Sequence, residues 1–576
     1  MKVILAKTAG FCMGVRRAME MVMAESNKKE GPLFTYGPLI HNQQVLDLLR
    51  SKGIQAEEDL ENLKSGRIII RAHGIPPQKK LALEKTGLKV MDGTCPKVTR
   101  VQAIIRRYSK EGRQTIIVGD QDHAEVIGLM GYSRSPAHVI QGADDVPGLP
   151  EMDHPFVVAQ TTQNEQNFNL VVASLKERFP DLLVFDTICD ATHLRQGEVR
   201  EFKGLVDGVV VVGGYHSGNT RRLVQISEEE GMPTIHVETE NELNEQNLSG
   251  FKTVGVTAGA STPHWMINSV LKKIEDMSGQ DESPIVRFFK RAGRFVVLSN
   301  LMAAAGAFSL SYAALKISGS GPGAVFPFLT FLYIYAMYVF NRFLDKEASA
   351  YSDPARAASL NEYRNLIAGT GAGTLATALI LAWFQGLVAF FMLMGLSIVG
   401  IIYSVPVIPE KLRYRYRYVK IKDIPGSRAL SEALAWVAVI TVLPMVSGRV
   451  GDIGPSVISG MVVFSLSYAR AIFLSVFQVQ GDLMVGRETL PITLGEERTL
   501  LILKCILGAV AVFLITGLVS GLTGPFLYMM FCPLLTLSLC LLAYEKNWFH
   551  PGLRLEAMIE GNFLLTGALA FLWQYL

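Results

Sequence analysis

The sequence predicts two halves of different kinds: an α/β half of two or three α/β units, then an all-α bundle of about nine transmembrane helices. Three observations predict this. The composition changes near residue 290, from mixed and charged to long apolar runs separated by short polar ones. Before that point, short strand-like runs at 3–6, 68–70, 115–118, 156–158, 209–212 and 253–256 alternate with amphipathic stretches such as 101–108, 221–230 and 265–277. After it, the apolar runs approach the ~20 residues that a bilayer demands. The expected boundaries are 1–277 for the first domain, 278–292 (SGQDESPIVRFFKRA) for a polar, then basic linker, and 293–576 for the membrane domain.

Alternation of strands and helices predicts mainly parallel sheets covered by helices. In the second half, the apolar runs centre near Ala304, Phe331, Ala376, Leu396, Ala435, Val463, Val510, Leu535 and Leu569. Alternate loops carry the positive charge: Lys346, Arg356 and Arg364, then seven basic residues between Lys411 and Arg428, then Arg487 and Arg498, then Lys546 and Arg554. The opposite loops carry only Lys316 and Arg449. The positive-inside rule places the basic loops, and with them the N-terminal domain, on the cytoplasmic side of an inner membrane.

The net charge of +3 is small for 576 residues and argues against a general nucleic-acid binder. Lys2, Lys7 and Gly10 interrupt the start where a cleavable signal would need an apolar core. Of six cysteines, Cys505, Cys532 and Cys540 lie in apolar spans, where cysteine acts as a small hydrophobe. Cys12, Cys95 and Cys189 form an odd, widely spaced set unlike a secreted disulfide framework, which places this half in a reducing compartment.

Each of these three cysteines follows a strand-like run, and ligands in open α/β sheets gather at the carboxyl ends of strands. Three converging thiolates suit a zinc site only with a fourth ligand. They also suit an iron–sulfur cluster with one iron lacking a protein thiolate, and counting cysteines alone leaves three unrelated buried residues as a third reading. His41, His73 and His123 add a second constellation, since the last two also follow strands. Imidazole donates to diphosphate or hydroxyl oxygens, and Glu125 becomes a proton donor if burial raises its pKa. Gln160-Thr161-Thr162, Ser217-Gly218-Asn219-Thr220 and Ala258 to Thr262 stand at strand ends or between strand and helix, where hydroxyls and free N–H groups suit phosphate oxygens as well as simple helix capping. No Walker A lysine motif occurs, and the glycines at 369, 371 and 373 lie in an apolar span that suits close helix packing.

At these residues the sequence closely resembles the IspH/LytB family of 4-hydroxy-3-methylbut-2-enyl diphosphate reductases. GFCMGV, LIHN, AHG, GTCP, HAEVIG, QTT, DTICDATHLRQ, SGNT and TAGAS occur in the family's order across nearly all of 1–277. The resemblance implies a [4Fe–4S] cluster on Cys12, Cys95 and Cys189. It implies substrate binding by His41, His73, His123, Thr161, Ser217, Gly218, Asn219 and Ser261, with Glu125 in proton delivery. Ala124 stands where the family often has proline, and Gly218 where it often has a second serine. The implied reaction is reductive loss of the C4 hydroxyl as water, giving isopentenyl and dimethylallyl diphosphate, with electrons from a ferredoxin or flavodoxin. A competing class is an iron–sulfur sensor reporting redox state to a membrane partner; Glu125 and the hydroxyl-rich loops are superfluous to it.

The second half resembles the UbiA-type prenyltransferases, whose two acidic motifs bind Mg²⁺ and a prenyl diphosphate. Asn341 to Asp345 matches the start of the first motif, followed by Asp353 to Arg356. Tyr403 to Pro406 fits the mid-chain loop, and Gly481-Asp482 with 486–491 and Gly495 fits the end of the second motif. Asn341, Asp345 and Asp482 are thus the implied Mg²⁺–diphosphate residues. Ser349, Ser475 and Gln478 stand where the motifs usually have acids, so the half is expected either to transfer prenyl groups or to serve as a membrane anchor.

Overall fold

The computed structural model describes residues 1–576 except 29, 60–62, 64, 279–282, 321–322, 345–362, 406–420, 449–451, 480, 483–488, 547, 550–551 and 576. The chain divides into two compact units, Met1–Glu282 and Ser283–Leu576.

The first unit has twelve strands: β1 (Lys2–Leu5), β2 (Leu33–Tyr36), β3 (Ile54–Glu57), β4 (Arg67–Ile70), β5 (Lys89–Asp92), β6 (Thr115–Val118), β7 (His138–Ile140), β8 (Phe156–Ala159), β9 (Leu183–Phe185), β10 (Gly208–Val212), β11 (Thr234–Val237) and β12 (Thr253–Ala258). They form three four-stranded sheets with orders β1-β12-β10-β11, β3-β2-β4-β5 and β7-β6-β8-β9. Every pairing is parallel, for example Thr115 opposite Phe156 and Lys2 opposite Thr253. The central strands explain this. RIII, TIIV, FVVA and GVVVV are buried at every residue, as strands covered by helices on both faces must be. The first sheet takes β1 from the start of the unit and β10 to β12 from its end, so the chain returns to where it began.

The second unit is all helix among the described residues. Among the described residues, seven helices are long and apolar enough to cross a bilayer, from Arg364–Gln385 to Leu553–Tyr575, and the pair Ile285–Leu298 and Leu301–Ile317, bent by 70°, passes the same test only when the two are taken together. At the expected second centre, Val325–Leu344 has 20 residues but carries Asn341 and Arg342 in its last turn, which lowers its apolarity. The unit is therefore a multi-pass membrane domain. One span is irregular: Ser427–Val437 passes through a π turn at Ala438–Val442 into Leu443–Val446, where Pro444 lacks the N–H that a regular helix needs. Most of the basic residues between Lys346 and Arg356 and between Lys411 and Lys420 lie outside the described residues.

The stretch 278–292 reads as a linker; the two units divide within it, after Glu282, and a 15-residue helix, Pro284–Leu298, begins inside it. Ser283 caps this helix, its Oγ accepting from the Val286 N–H at 3.4 Å, and Pro284 stands at the first helical position. The basic residues mask an apolar periodicity that runs on past residue 292.

Candidate active site

Parallel strands point their carboxyl ends the same way, and three such sheets supply nine βα turns that carry the polar residues. Cys12 follows β1, His41 follows β2, His73 follows β4 and Cys95 follows β5. His123 follows β6, Thr161 follows β8, Cys189 follows β9, Ser217 follows β10 and Ser261 follows β12. Contacts between the sheets close these ends on one another. Arg17 Nη1 donates to the Thr94 carbonyl at 2.9 Å, and Arg195 Nη2 donates to the Gly10 carbonyl at 2.7 Å. Lys97 pairs with Asp190 at 2.5 Å, and Arg222 Nη2 donates to Asp120 Oδ1 at 2.9 Å.

The three early cysteines are free thiols at equivalent places, each the N-cap of a helix: Met13–Asn27, Pro96–Lys110 and Asp190–Glu201. Gly14 lies between two of them. A Cβ there would come 2.5 Å from Cys95 Sγ and 3.9 Å from Cys12 Sγ, so only glycine leaves room for both sulfurs. Cys12 and Cys189 both act electrostatically on Cys95 and on the buried Arg195 guanidinium. Burial pushes the Cys95 and Cys189 thiols up, while N–H groups of the first helical turn pull them back. Three thiols gathered at three helix N-termini, with an arginine behind them, are a donor set that fits a cluster held by three thiolates.

Beside them the three histidine rings pack with centroids 4.7, 5.4 and 5.6 Å apart. One nitrogen from each lies within 4.8 Å of the others, a spacing that also suits a metal ion. All three imidazoles are held below their usual pKa by burial first; Arg71 adds to this at each, and neighbouring imidazoles of the trio add to it at His73 and His123. His123 falls to about 4. They are therefore neutral at pH 7. His123 Nδ1 accepts from the Glu125 N–H at 3.2 Å, which places its proton on Nε2, on the side of Gly218.

Glu125 is 2% exposed. Its Oε1 accepts from the Thr161 N–H at 2.7 Å and its Oε2 from Thr161 Oγ1 at 2.8 Å. Burial outweighs these two bonds and pushes its pKa up to about 7. Ser217 Oγ and Ser261 Oγ lie 3.3 Å apart, and the Ser261 hydroxyl also reaches the His41 carbonyl. His41 Nε2, His73 Nδ1, Asn219 Nδ2 and Thr220 Oγ1 are buried with no hydrogen-bond partner among the described residues. Asn219 and Thr220 stand at the start of the Gly218–Glu229 helix and His41 lies beside the cations Arg71 and Arg221, a setting suited to an anion with several oxygens.

A LytB protein family model matches residues 3–275. A 4-hydroxy-3-methylbut-2-enyl diphosphate reductase from Geobacter sulfurreducens is 41% identical over 280 residues, 99% of that protein and 49% of this chain. The chain belongs to the LytB family. The solved Plasmodium falciparum E-1-hydroxy-2-methyl-but-2-enyl-4-diphosphate reductase is 30% identical, with a TM-score of 0.46, covering 47% of this chain and 87% of that one. A UbiA prenyltransferase family model matches residues 297–559, so this LytB family member also carries a UbiA domain. A solved UbiA homolog from Archaeoglobus fulgidus, bound to DMAPP and Mg²⁺, is 16% identical with a TM-score of 0.36, covering 48% of this chain and 98% of that one.

Sequence reasoning missed Arg195, which is buried beside two cysteines and is the link from the third sheet to Gly10. Its place in the DTICDATHLRQ motif, six residues after Cys189, was the signal available. In the UbiA domain, Ser404 Oγ donates to Asn341 Oδ1 at 2.9 Å, joining two helix ends. Asp482 is 1% exposed and 3.9 Å from Arg428; Asp345 lies outside the described residues. A further group is an ionic network inside the bundle. Arg470 Nε donates to both Glu560 oxygens at 3.0 Å, its Nη1 reaches the Tyr338 hydroxyl at 3.0 Å and pairs with Glu432, and its guanidinium lies over Trp436.

Proposed function

We propose that the N-terminal unit reduces 4-hydroxy-3-methylbut-2-enyl diphosphate to isopentenyl and dimethylallyl diphosphate. The observation that carries this reading is a buried Glu125 with a pKa of about 7 beside three free thiols and four orphaned polar atoms. A redox sensor has no use for such a carboxyl or for the anion cradle. Cys12, Cys95 and Cys189 would hold a [4Fe–4S] cluster. When bound, the cluster supplies electrons one at a time, drawn from a ferredoxin or flavodoxin, and an iron position for the substrate hydroxyl.

The chain's own groups account for the rest. The Gly218–Glu229 helix start, Ser217, Asn219, Ser261 and the three histidines bind the diphosphate, whose charge raises the imidazole pKa values and favours their protonation on binding. Overall, the C4–O bond breaks, two electrons and two protons enter, one C–H bond forms and water leaves. Glu125 supplies the proton to the departing oxygen, and Thr161 holds its carboxyl in place.

The UbiA domain is proposed to transfer a prenyl group with Mg²⁺, using Asn341, Asp345 and Asp482 toward the diphosphate. The basic loops put this end and the N-terminal unit on the cytoplasmic face of the inner membrane. The test is anaerobic turnover by the full chain with a chemical reductant. Formation of both isomeric diphosphates is expected; an intact cluster without turnover would reject the reductase. For the second unit, prenyl transfer that survives both Asp345→Asn and Asp482→Asn would reject the Mg²⁺ residues.

A further inference from the structure

The Pro284–Leu298 helix has two faces. At 100° per residue, Ile285, Phe288, Phe289, Ala292, Phe295 and Val296 share about a third of the circumference, and Arg287, Lys290, Arg291 and Arg294 share about a third on the other side. The helix has no acidic residue. Its apolar face is bare within its own unit: Ile285, Phe288, Phe289 and Phe295 are 59 to 70% exposed. Its last turn is packed, through Val297 and Leu298.

The helix meets Leu301–Ile317 at 70°. This break is built. Asn300 takes the left-handed conformation at φ +64°. Arg342, at the end of Val325–Leu344, donates from Nη1 to the Leu298 carbonyl and from Nη2 to Asn300 Oδ1, both at 2.7 Å. A helix turned this far from a membrane-crossing one runs close to the bilayer plane. In that plane, acyl chains lie on one side and headgroup phosphates on the other, matching the two faces in polarity and charge.

We propose that Pro284–Leu298 is an interfacial helix that binds anionic phospholipid, its phenylalanine face among the acyl chains and its four basic side chains at the headgroup phosphates. Arg342 fixes its angle as a positioning residue. The helix thereby holds the start of the membrane unit at the headgroup level.

The test uses the full chain in nanodiscs of equal phosphatidylglycerol and phosphatidylcholine, with the photo-crosslinker p-benzoylphenylalanine in place of Phe288, Phe295 or Lys290. Acyl-chain adducts at 288 and 295, about fivefold above those at 290, are expected. Cross-links from 288 to peptides of 1–278 or to a second copy, or equal lipid labelling at all three positions, would overturn the proposal. In a second arm, Arg287, Lys290, Arg291 and Arg294 are all changed to Gln in the Phe288-substituted chain. The ratio of phosphatidylglycerol to phosphatidylcholine adducts should fall several-fold; an unchanged ratio would overturn the preference for anionic lipid. Neither arm reads reductase turnover, so failure here leaves the reductase reading intact.

Discussion

Two buried polar clusters, one in each unit, are built on opposite plans. In the LytB unit, His41, His73, Asn219 and Thr220 bury polar atoms that no described residue satisfies. In the UbiA unit, one buried ionic cluster satisfies itself: Arg470 with Glu560, Glu432 and Tyr338, across four different helices. An orphaned polar atom in a folded interior costs free energy that a bound ligand returns. A closed ionic network has already taken that return from within the protein and serves to fix helix register. Unsatisfied groups therefore mark where a ligand belongs, and satisfied ones mark what holds the scaffold.

The sharpest way to break this contrast is to remove a thiol. Cys12→Ser, Cys95→Ser or Cys189→Ser should each abolish turnover and lower the bound iron, whereas the change is small enough to preserve the fold. Full iron content in any of the three would detach that residue from the cluster. Next in size is Glu125→Gln, expected to reduce kcat by roughly 10²–10⁴-fold with iron content unchanged. A kcat within a few-fold of the parent would move proton delivery elsewhere.

In the other unit, Arg470→Ala leaves Glu560 buried without its partner and should cost about 3–5 kcal/mol, read as a lower unfolding midpoint in detergent. A shift of only a degree or two would mean the network is not the lock described. The LytB unit offers a milder counterpart in Asn219→Ala, which on the proposed reading removes one donor to the diphosphate and should raise KM about tenfold while sparing kcat.

Eight of the nine strand ends of the first unit were readable from the chain alone, because the Cys, His, Thr or Ser at each follows an apolar run and parallel sheets send such ends to one side; the strand before His41 was not among them. The contact of Arg195 with Gly10 was not, since it depends on how the third sheet closes on the first. Arg470 was hidden for a similar reason: one arginine in an apolar span gives no hint of partners 38 and 90 residues away. The two faces of the Pro284–Leu298 helix were not read, because four cations within eight residues resemble a solvated connection until the phenylalanines are placed on a helical wheel.

The smallest effect is a pH profile. The Glu125 pKa is raised in the folded protein, so the carboxyl is protonated below about 7 and charged above it. Turnover at saturating substrate should therefore fall as pH rises through about 7, and Glu125→Gln should flatten that limb. A limb that persists in the variant would belong to another group.

The most direct test of the whole account is the Mössbauer spectrum of the intact chain, purified without oxygen, before and after substrate is added. About four irons per chain are expected, with one of them responding to substrate and three not. Iron well below that amount, or four irons indifferent to substrate, would contradict a cluster held by Cys12, Cys95 and Cys189.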